Sequence, residues 1–232
     1  MSAPAAPADP VLAAASAASH MALSGGGSSA VKIFLLLTAL SFGSALFISL
    51  TSFTRIIIVF SFLRQALGTP SLPPNQVLMG LSLFLTLFIM APTFSKLQTE
   101  ALEPLMDDKI SITEALHRAE GPVSEWLLRQ TSEDDLRLFM EISGRPPVAR
   151  GEAIPITVLA PAFMISELTT AFRMGLYLFL PMLLVDLLVA SVLMSLGMMM
   201  VPPTLIALSL KLGVFLLAGG WHLVVSSIVR SF

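Results

Sequence analysis

Apolar residues run almost without interruption through a long segment that follows a polar start. The run from Val31 to Leu67 is longer than the roughly 20 residues that cross a bilayer, and it predicts one long or bent helix. GTPSLPPN at residues 68–75 predicts a turn, and the apolar run from Val77 to Phe94 predicts a returning helix. These segments together predict a first helical hairpin over residues 31–94.

The last third of the chain repeats this organisation. Apolar segments extend from Ile154 to Met200 and from Thr204 to Val229, and Pro161 and Pro181 are expected to mark helix starts or kinks. The pattern predicts a second helical hairpin over residues 154–232. With no strand-like alternation between the hairpins, the fold class is all-α.

The turn of the second hairpin carries the unusual stretch SLGMMMVPPTL, residues 195–205. Gly197 weakens a helix, and Pro202 and Pro203 lack the amide hydrogens that would continue one, so Met198, Met199 and Met200 are expected where helical hydrogen bonding stops. Irregular backbone at membrane depth survives only where it is buried in protein or lines a cavity. Flexible methionine side chains suit a deformable constriction, although ordinary apolar packing explains them equally well at this stage.

Polar segments separate the apolar ones. Residues 1–30 are rich in Ala, Ser, Pro and Gly, which predicts a disordered tail, and the absence of Lys and Arg before Lys32 argues against a cleaved secretory signal. Residues 95–153 form an insert with twelve acidic and seven basic residues. Ser111 and Ser132 each precede a helical pattern with acids in its first turn, which predicts capped short helices. Counting basic residues does not decide on which side of a membrane the insert lies.

Composition defines the broad class. Hydrophobic residues make up 55% of the 232 residues, charged residues 12%, and the mean hydropathy is +0.86, which indicates an integral membrane protein. The chain has no cysteine, so disulfides and thiolate metal sites are excluded. A net charge of −2 without a basic cluster gives no sign of nucleic-acid binding.

Charged residues inside the apolar segments are the next signal, because a charge at membrane depth normally faces a partner or a water-filled path. Glu167 and Arg173 lie six residues apart, about 120° around a helix, so their partners are expected on another helix or another subunit. Asp186 and Lys211 flank the second turn and could approach each other. Structural ion pairing and a proton or ion relay both remain open. Further interruptions in the first apolar run are Arg55 and Arg64.

Catalytic chemistry finds little support in the sequence. Neither HExxH nor GxSxG occurs, and Asp186 has no second intramembrane aspartate with which to form a proteolytic dyad. We therefore expect no catalytic residue, no metal site and no cofactor. A secondary transporter that uses Glu167, Asp186 and Lys211 as a relay is an alternative that the residues alone leave open.

Two long stretches carry a specific resemblance. LTSFTRIIIVFSFLRQALGTPSLPPNQVLMGLSLFLTLFIMAPTF from Leu50, and FMISELTTAFRMGLYLFLPMLLVDLLVASVLMSLGMMMVPP from Phe163, closely resemble the FliP/SctR family of type III secretion export gates. LLRQTSEDDLRLFMEI in the insert looks like the flagellar branch, and the similarity covers about residues 31–232. One departure is AGGWHLVV at Ala218, where the flagellar pattern usually has an acid before Gly-Trp.

The resemblance implies a non-enzymatic core subunit of the flagellar protein export gate in the bacterial inner membrane, within the flagellar basal body. It implies a helical, conical gate in which several copies, typically five, assemble with FliQ and FliR alongside FlhA and FlhB and pass unfolded flagellar proteins. An injectisome gate is the related alternative. It also implies that the insert faces the periplasm and that Met198, Met199 and Met200 form a gasket around the pore. Glu167 and Arg173 would then be buried groups at subunit contacts.

Overall fold

The computed structural model describes residues 27–144, 154–198 and 200–232, and within these ranges the regular elements are all helical. The described chain divides into two units, with the boundary between Phe47 and Ile48. Most of the tail predicted over residues 1–30 lies outside the described residues. The helices are α1 Gly27–Leu50, α2 Phe53–Ala66, α3 Asn75–Leu97, α4 Glu103–Met106, α5 Ile112–Gln130, α6 Glu133–Ile142, α7 Ile156–Ser195, α8 Pro203–Leu217 and α9 Gly220–Val229.

The first apolar run, where the sequence predicted one long or bent helix over residues 31–67, forms two helices with a break between them. The break falls between Leu50 and Phe53, where short polar side chains bond to the backbone. Thr54 Oγ1 donates to the Ile48 carbonyl at 2.8 Å, and the Phe53 amide donates to Thr51 Oγ1 at 3.4 Å. Hydropathy did not show the break, because serine and threonine are also common inside membrane helices.

The turn predicted at residues 68–75 separates α2 from α3, and α3 continues beyond the predicted end at Phe94. It passes through a π-helical turn, Gln98–Leu102, into α4, which makes one helical rod from Asn75 to Met106. The apolar run therefore ends before the helix does. Part of the segment assigned to the insert from residue 95 onward belongs to this rod.

The two predicted capping serines are confirmed. Ser111 Oγ accepts from the Glu114 amide at 3.3 Å at the start of α5, and Ser132 Oγ accepts from the Asp135 amide at 3.2 Å at the start of α6. Each cap satisfies an amide that the first helical turn leaves unpaired, a contribution of about 1 kcal/mol. The insert therefore folds as short helices, and residues 145–153 lie outside its described part.

The long helix α7 spans 40 residues, or about 60 Å at 1.5 Å per residue. It begins after Pro155 and continues through both Pro161 and Pro181, so neither of these prolines starts the helix. The chain bends by 65° between α8 and α9, which sequence reasoning missed by treating residues 204–229 as one segment.

Two adjacent glycines explain this bend. Gly219 has φ +63°, in the left-handed region that glycine adopts without steric cost, and it ends α8. Gly220 packs against Phe215, where a Cβ atom would lie 2.2 Å from a ring carbon. The first position permits the change of direction, and the second permits the close approach of the two helices.

Two apolar clusters hold residues 48–232 together. In one, the buried face of α2 packs most extensively on α7, with Ile56, Val59, Phe60 and Leu63 almost inaccessible to solvent. In the other, Met90 of α3 meets residues of α5 and α7, namely Trp126, Leu127, Leu159 and Phe163. The second cluster attaches the insert to the long helices.

Two helical stretches of the described chain are long and apolar enough to cross a membrane, Asn75–Met106 and Ile156–Ser195. The bent pair of helices α8 and α9 is a third candidate membrane span if the two helices are counted together. The expectation of an all-α membrane fold is confirmed at this level.

Candidate functional site

The methionine segment begins at a well-formed helix end. The Gly197 amide donates to the Met194 carbonyl at 3.1 Å, and the Met198 amide donates to the Leu193 carbonyl at 3.0 Å. Gly197 has φ +75°. These two hydrogen bonds and the left-handed glycine form a Schellman motif, the common way for a helix to end while its last carbonyls stay paired. The helix break expected at Gly197 is therefore present.

The two prolines start the next helix. Pro202 is the N-cap of α8 and Pro203 is its first residue, a position where the missing amide hydrogen costs nothing because it would be unpaired anyway. Gly197 and the two prolines thus delimit a short connection, residues 196–202, whose direction both helices fix.

Two methionines of this connection, Met198 and Met200, are exposed. The Met200 residue is 98% exposed and Met198 is 44% exposed, whereas Met199 lies outside the described residues. Apolar side chains that are this exposed at a fixed helix turn present surface to something other than their own chain.

Glu167 forms a buried ion pair, and its partner is Arg55 on α2. Arg55 Nε donates to Glu167 Oε2 at 2.9 Å, and Nη2 donates to Oε1, which makes the contact bidentate. The Glu167 residue is fully buried and Arg55 is 2% exposed. The partner of Glu167 therefore lies on another helix of the same chain, which is one of the two places that the sequence left open.

The rest of the Arg55 guanidinium is bound as well. Nη1 donates to the Ser231 carbonyl at 2.7 Å and to Ser231 Oγ at 2.9 Å, and Nη2 lies 3.4 Å from Gln130 Oε1. The central guanidinium carbon of Arg55, Cζ, lies 3.8 Å from the centre of the Phe232 ring. A buried charge with this many partners avoids the large cost of an unpaired one.

Asp186 and Lys211 come together as the sequence allowed. Lys211 Nζ donates to Asp186 Oδ2 at 2.5 Å and to the Ala66 carbonyl at 3.0 Å. Lys211 is buried, whereas the Asp186 side chain is 44% exposed. This pair ties α8 to α7 and to the end of α2.

Arg173 differs from the other three charges. The residue is exposed on α7, one helical turn before Tyr177, so it is not a buried group within one chain. Burial of Arg173 at a subunit contact stays a prediction, because exposure in one chain leaves the residue available to a neighbouring subunit.

A surface group in the insert gives a contrast to the buried pairs. Glu125 accepts from Lys96 Nζ at 2.6 Å and from Arg129 at 2.9 Å. The hydrogen bond from Lys96, followed by the positive charge of Lys96, holds the pKa of the Glu125 carboxyl below its usual range. Water screens this group, so it contributes little to stability.

Sequence reasoning noted Arg55 but did not identify it as the partner of Glu167. The two residues lie 112 positions apart, and no local pattern connects them. A search for opposite charges among the apolar segments could have matched Arg55 with Glu167, because each charge at membrane depth needs a counter-charge.

The fold and the site together define a class. The chain is a helical membrane protein in which buried ion pairs hold the long helices and a methionine-bearing turn is exposed between two of them. Its sequence matches the FliP family model over residues 36–228. It is 53% identical over 205 residues to flagellar biosynthetic protein FliP of Bacillus subtilis strain 168, covering 88% of this chain and 93% of that protein.

Other relatives agree. The chain is 52% identical over 202 residues to flagellar biosynthetic protein FliP of Pectobacterium carotovorum, covering 87% of this chain and 78% of that protein. It is 47% identical over 204 residues to the Aquifex aeolicus protein of the same description, covering 87% and 85%. This chain belongs to the FliP family, which confirms the resemblance seen in the sequence. It is a non-enzymatic membrane component of the flagellar export apparatus.

Proposed function

We propose that this chain is a core subunit of the flagellar protein export gate, and that unfolded flagellar proteins cross the inner membrane through a pore that its copies surround. The observation that supports the proposal is the turn at residues 196–202. It follows a Schellman motif and precedes the helix that starts at Pro203, and it presents an almost fully exposed Met200. Copies around an axis would bring these apolar side chains together as a gasket.

Methionine suits such a gasket. Its unbranched thioether side chain fills irregular gaps and repacks around different shapes. A ring of apolar side chains closes a pore by excluding water and ions, and it can yield to a passing polypeptide. Met198, Met199 and Met200 are the proposed gasket residues.

The architecture that we propose has two helical hairpins, residues 31–94 and 154–232, and a periplasmic segment, residues 95–153, whose first part continues the helix that ends at Met106. Several copies, five in the simplest arrangement, would assemble with FliQ- and FliR-like subunits into a conical gate next to FlhA- and FlhB-like components. Arg173, exposed on α7, would meet an acidic group of a neighbouring subunit. Asp186–Lys211 would hold the helices on either side of the gasket in register.

A transporter relay is not supported by the arrangement of charges. Glu167 and Asp186 lie 19 residues apart on one continuous helix, about 28 Å along its axis. Each already has its own basic partner, Arg55 and Lys211 respectively. Among the described residues, the two pairs are separate contacts that no direct side-chain hydrogen bond connects.

Whether the turns at residues 196–202 of different copies lie close together can be tested with Met200→Cys, because the chain has no cysteine of its own. If copies surround a pore, the new thiols should lie near one another, and mild copper phenanthroline oxidation of membranes should give disulfide-linked dimers. Leu217→Cys is the matched control, since Leu217 is 91% exposed but lies outside the loop. Dimers from both variants in equal yield, or from neither, would argue against loops that meet at an axis.

The side of the insert can be tested with Asp134→Cys, whose native side chain is exposed at the start of α6. A periplasmic insert should react with a membrane-impermeant maleimide added to intact spheroplasts. Labelling that requires an opened inner membrane would place the insert in the cytoplasm. The extent of labelling is measured from the increase in mass of the chain on a gel after it reacts with the maleimide.

A further inference from the structure

Ser231 and Phe232 lie where three distant parts of the chain meet. The main-chain carbonyl and the hydroxyl of Ser231 accept from Arg55 Nη1, at 2.7 and 2.9 Å. Arg55 belongs to α2 and is bidentate to Glu167 of α7. The end of this sequence therefore completes the coordination of the buried ion pair.

Phe232 extends this contact to the insert. The centre of the Phe232 ring lies 3.8 Å from the Arg55 guanidinium carbon. The same ring stacks on the Trp126 ring, with 5.9 Å between the ring centres and an interplanar angle of 20°. Its carbonyl accepts from Gln130 Nε2 at 3.0 Å. Because Trp126 and Gln130 belong to α5, the residue connects the insert to α2 through directional contacts.

The surroundings of Phe232 differ from those of a core aromatic residue. A cavity of about 330 Å³ adjoins it, lined also by Pro92 and Val229, and the residue is only half-buried. Phe163, in the cluster under the insert, is fully buried. Phe232 therefore borders the cavity on one side while it packs against both apolar clusters on the other.

The insert itself is held by few other polar contacts at this corner. The Ser132 amide donates to Ser166 Oγ at 2.9 Å, and Ser166 Oγ donates to Asp135 Oδ2 at 2.5 Å. The docked position also leaves the buried Trp126 indole N–H without an acceptor among the described residues. An unpaired buried donor favours exposure to water, so docking depends on contacts that offset it.

We propose that Ser231 and Phe232 form a clasp that holds the insert in its docked position against α2 and α7 and thereby sets the orientation in which the insert is presented. The two residues lie beyond the region 36–228 that matches the family model. The clasp is a property of the single chain and does not depend on the proposed gate. Loss of the aromatic ring should release the corner between α5 and α6 while the long helices stay folded.

The test uses the purified chain in detergent and compares Phe232→Leu with Phe232→Tyr. Leucine keeps an apolar side chain but loses the ring that contacts Arg55 and Trp126, whereas tyrosine keeps the ring. We expect trypsin to cleave Phe232→Leu after Arg129 and Arg137, on either side of the corner, about tenfold faster than the parent, because cleavage follows the population of the open form. Phe232→Tyr should be cleaved at the parental rate.

A second readout reports on the insert directly. Trp126 and Trp221 are the two tryptophans of the chain, so a Trp221→Phe background isolates the emission of Trp126. Phe232→Leu should shift that emission to the red as water reaches the indole. Cleavage after Arg118, far along α5 from the corner, is the internal control.

The outcomes separate a clasp from general loosening. Faster cleavage confined to Arg129 and Arg137, with a red shift and tyrosine rescue, supports the proposal. Parental cleavage and emission in Phe232→Leu overturn it. Equal acceleration after Arg118, or a Phe232→Tyr protein as open as Phe232→Leu, also overturns it, because the effect would then not depend on the stacked ring.

Discussion

Replacement of Glu167 by alanine should destabilise the subunit by about 3–5 kcal/mol, the usual cost of leaving one partner of a buried ion pair behind. Arg55 would then keep its contacts to Ser231 and Phe232 but lose both bonds to the carboxylate. Thermal unfolding of the purified chain, followed by tryptophan fluorescence, measures the effect. Glu167→Lys should be worse, because it places a second cation beside Arg55.

A matched control comes from the exposed pair in the insert. Glu125→Ala removes a carboxylate that also binds two cations, Lys96 and Arg129, but all three side chains are about half-exposed or more. Solvent screening makes such contacts weak, so the melting temperature should hardly change. Comparison of Glu167→Ala with Glu125→Ala tests how much burial adds to the stability of an ion pair, because both carboxylates bind cationic side chains.

The double variant Arg55→Met with Glu167→Leu distinguishes an intrachain pair from an intersubunit one. Removal of both charges leaves no unpaired group, so most of the lost stability should return. If Arg55→Met fails to suppress the defect of the Glu167 variant, the important partner of Glu167 is elsewhere. Assembly should be lost in the single variant because the subunit itself is destabilised.

Local signals in the sequence predicted local structure well. Ser111 and Ser132 cap their helices as expected, because a cap depends on residues within one turn. Gly197 and Pro202 end and start helices as expected, since glycine and proline act on their own backbone. The methionine turn could therefore be placed from residues 195–205 alone.

Features that depend on distant contacts were missed. The partnership of Arg55 and Glu167 joins positions 112 residues apart. The bend at Gly219 was missed for a different reason: it depends on two adjacent glycines, Gly219 and Gly220, and the apolar character of residues 204–229 hides it. Hydropathy is uniform across such a bend, because it reports the environment of a segment and not its direction.

The triple variant Met198→Ala, Met199→Ala, Met200→Ala should assemble normally and leave the resting membrane leaky to ions. Each substitution removes the Cγ, Sδ and Cε atoms of one methionine. In the proposed gasket every copy of the chain loses this side-chain volume at the same level of the pore. The Schellman motif at Gly197 and the helix start at Pro203 hold the backbone, so the turn cannot move inward to fill the gap. Assembly should survive because Met198 and Met200 are exposed and do not pack in the core of their own chain.

Membrane conductance, or entry of a small dye into cells that carry the variant, measures the leak. Replacement of the three residues by leucine is the first control: it keeps most of the volume, so it should leak less than alanine, while its branched side chain adapts less well to a passing chain. Met79→Ala with Met106→Ala is the second control, since both methionines are exposed outside the turn, and it should remain tight. A triple-alanine gate that assembles fully and is as tight as the parent would show that these methionines do not close the pore.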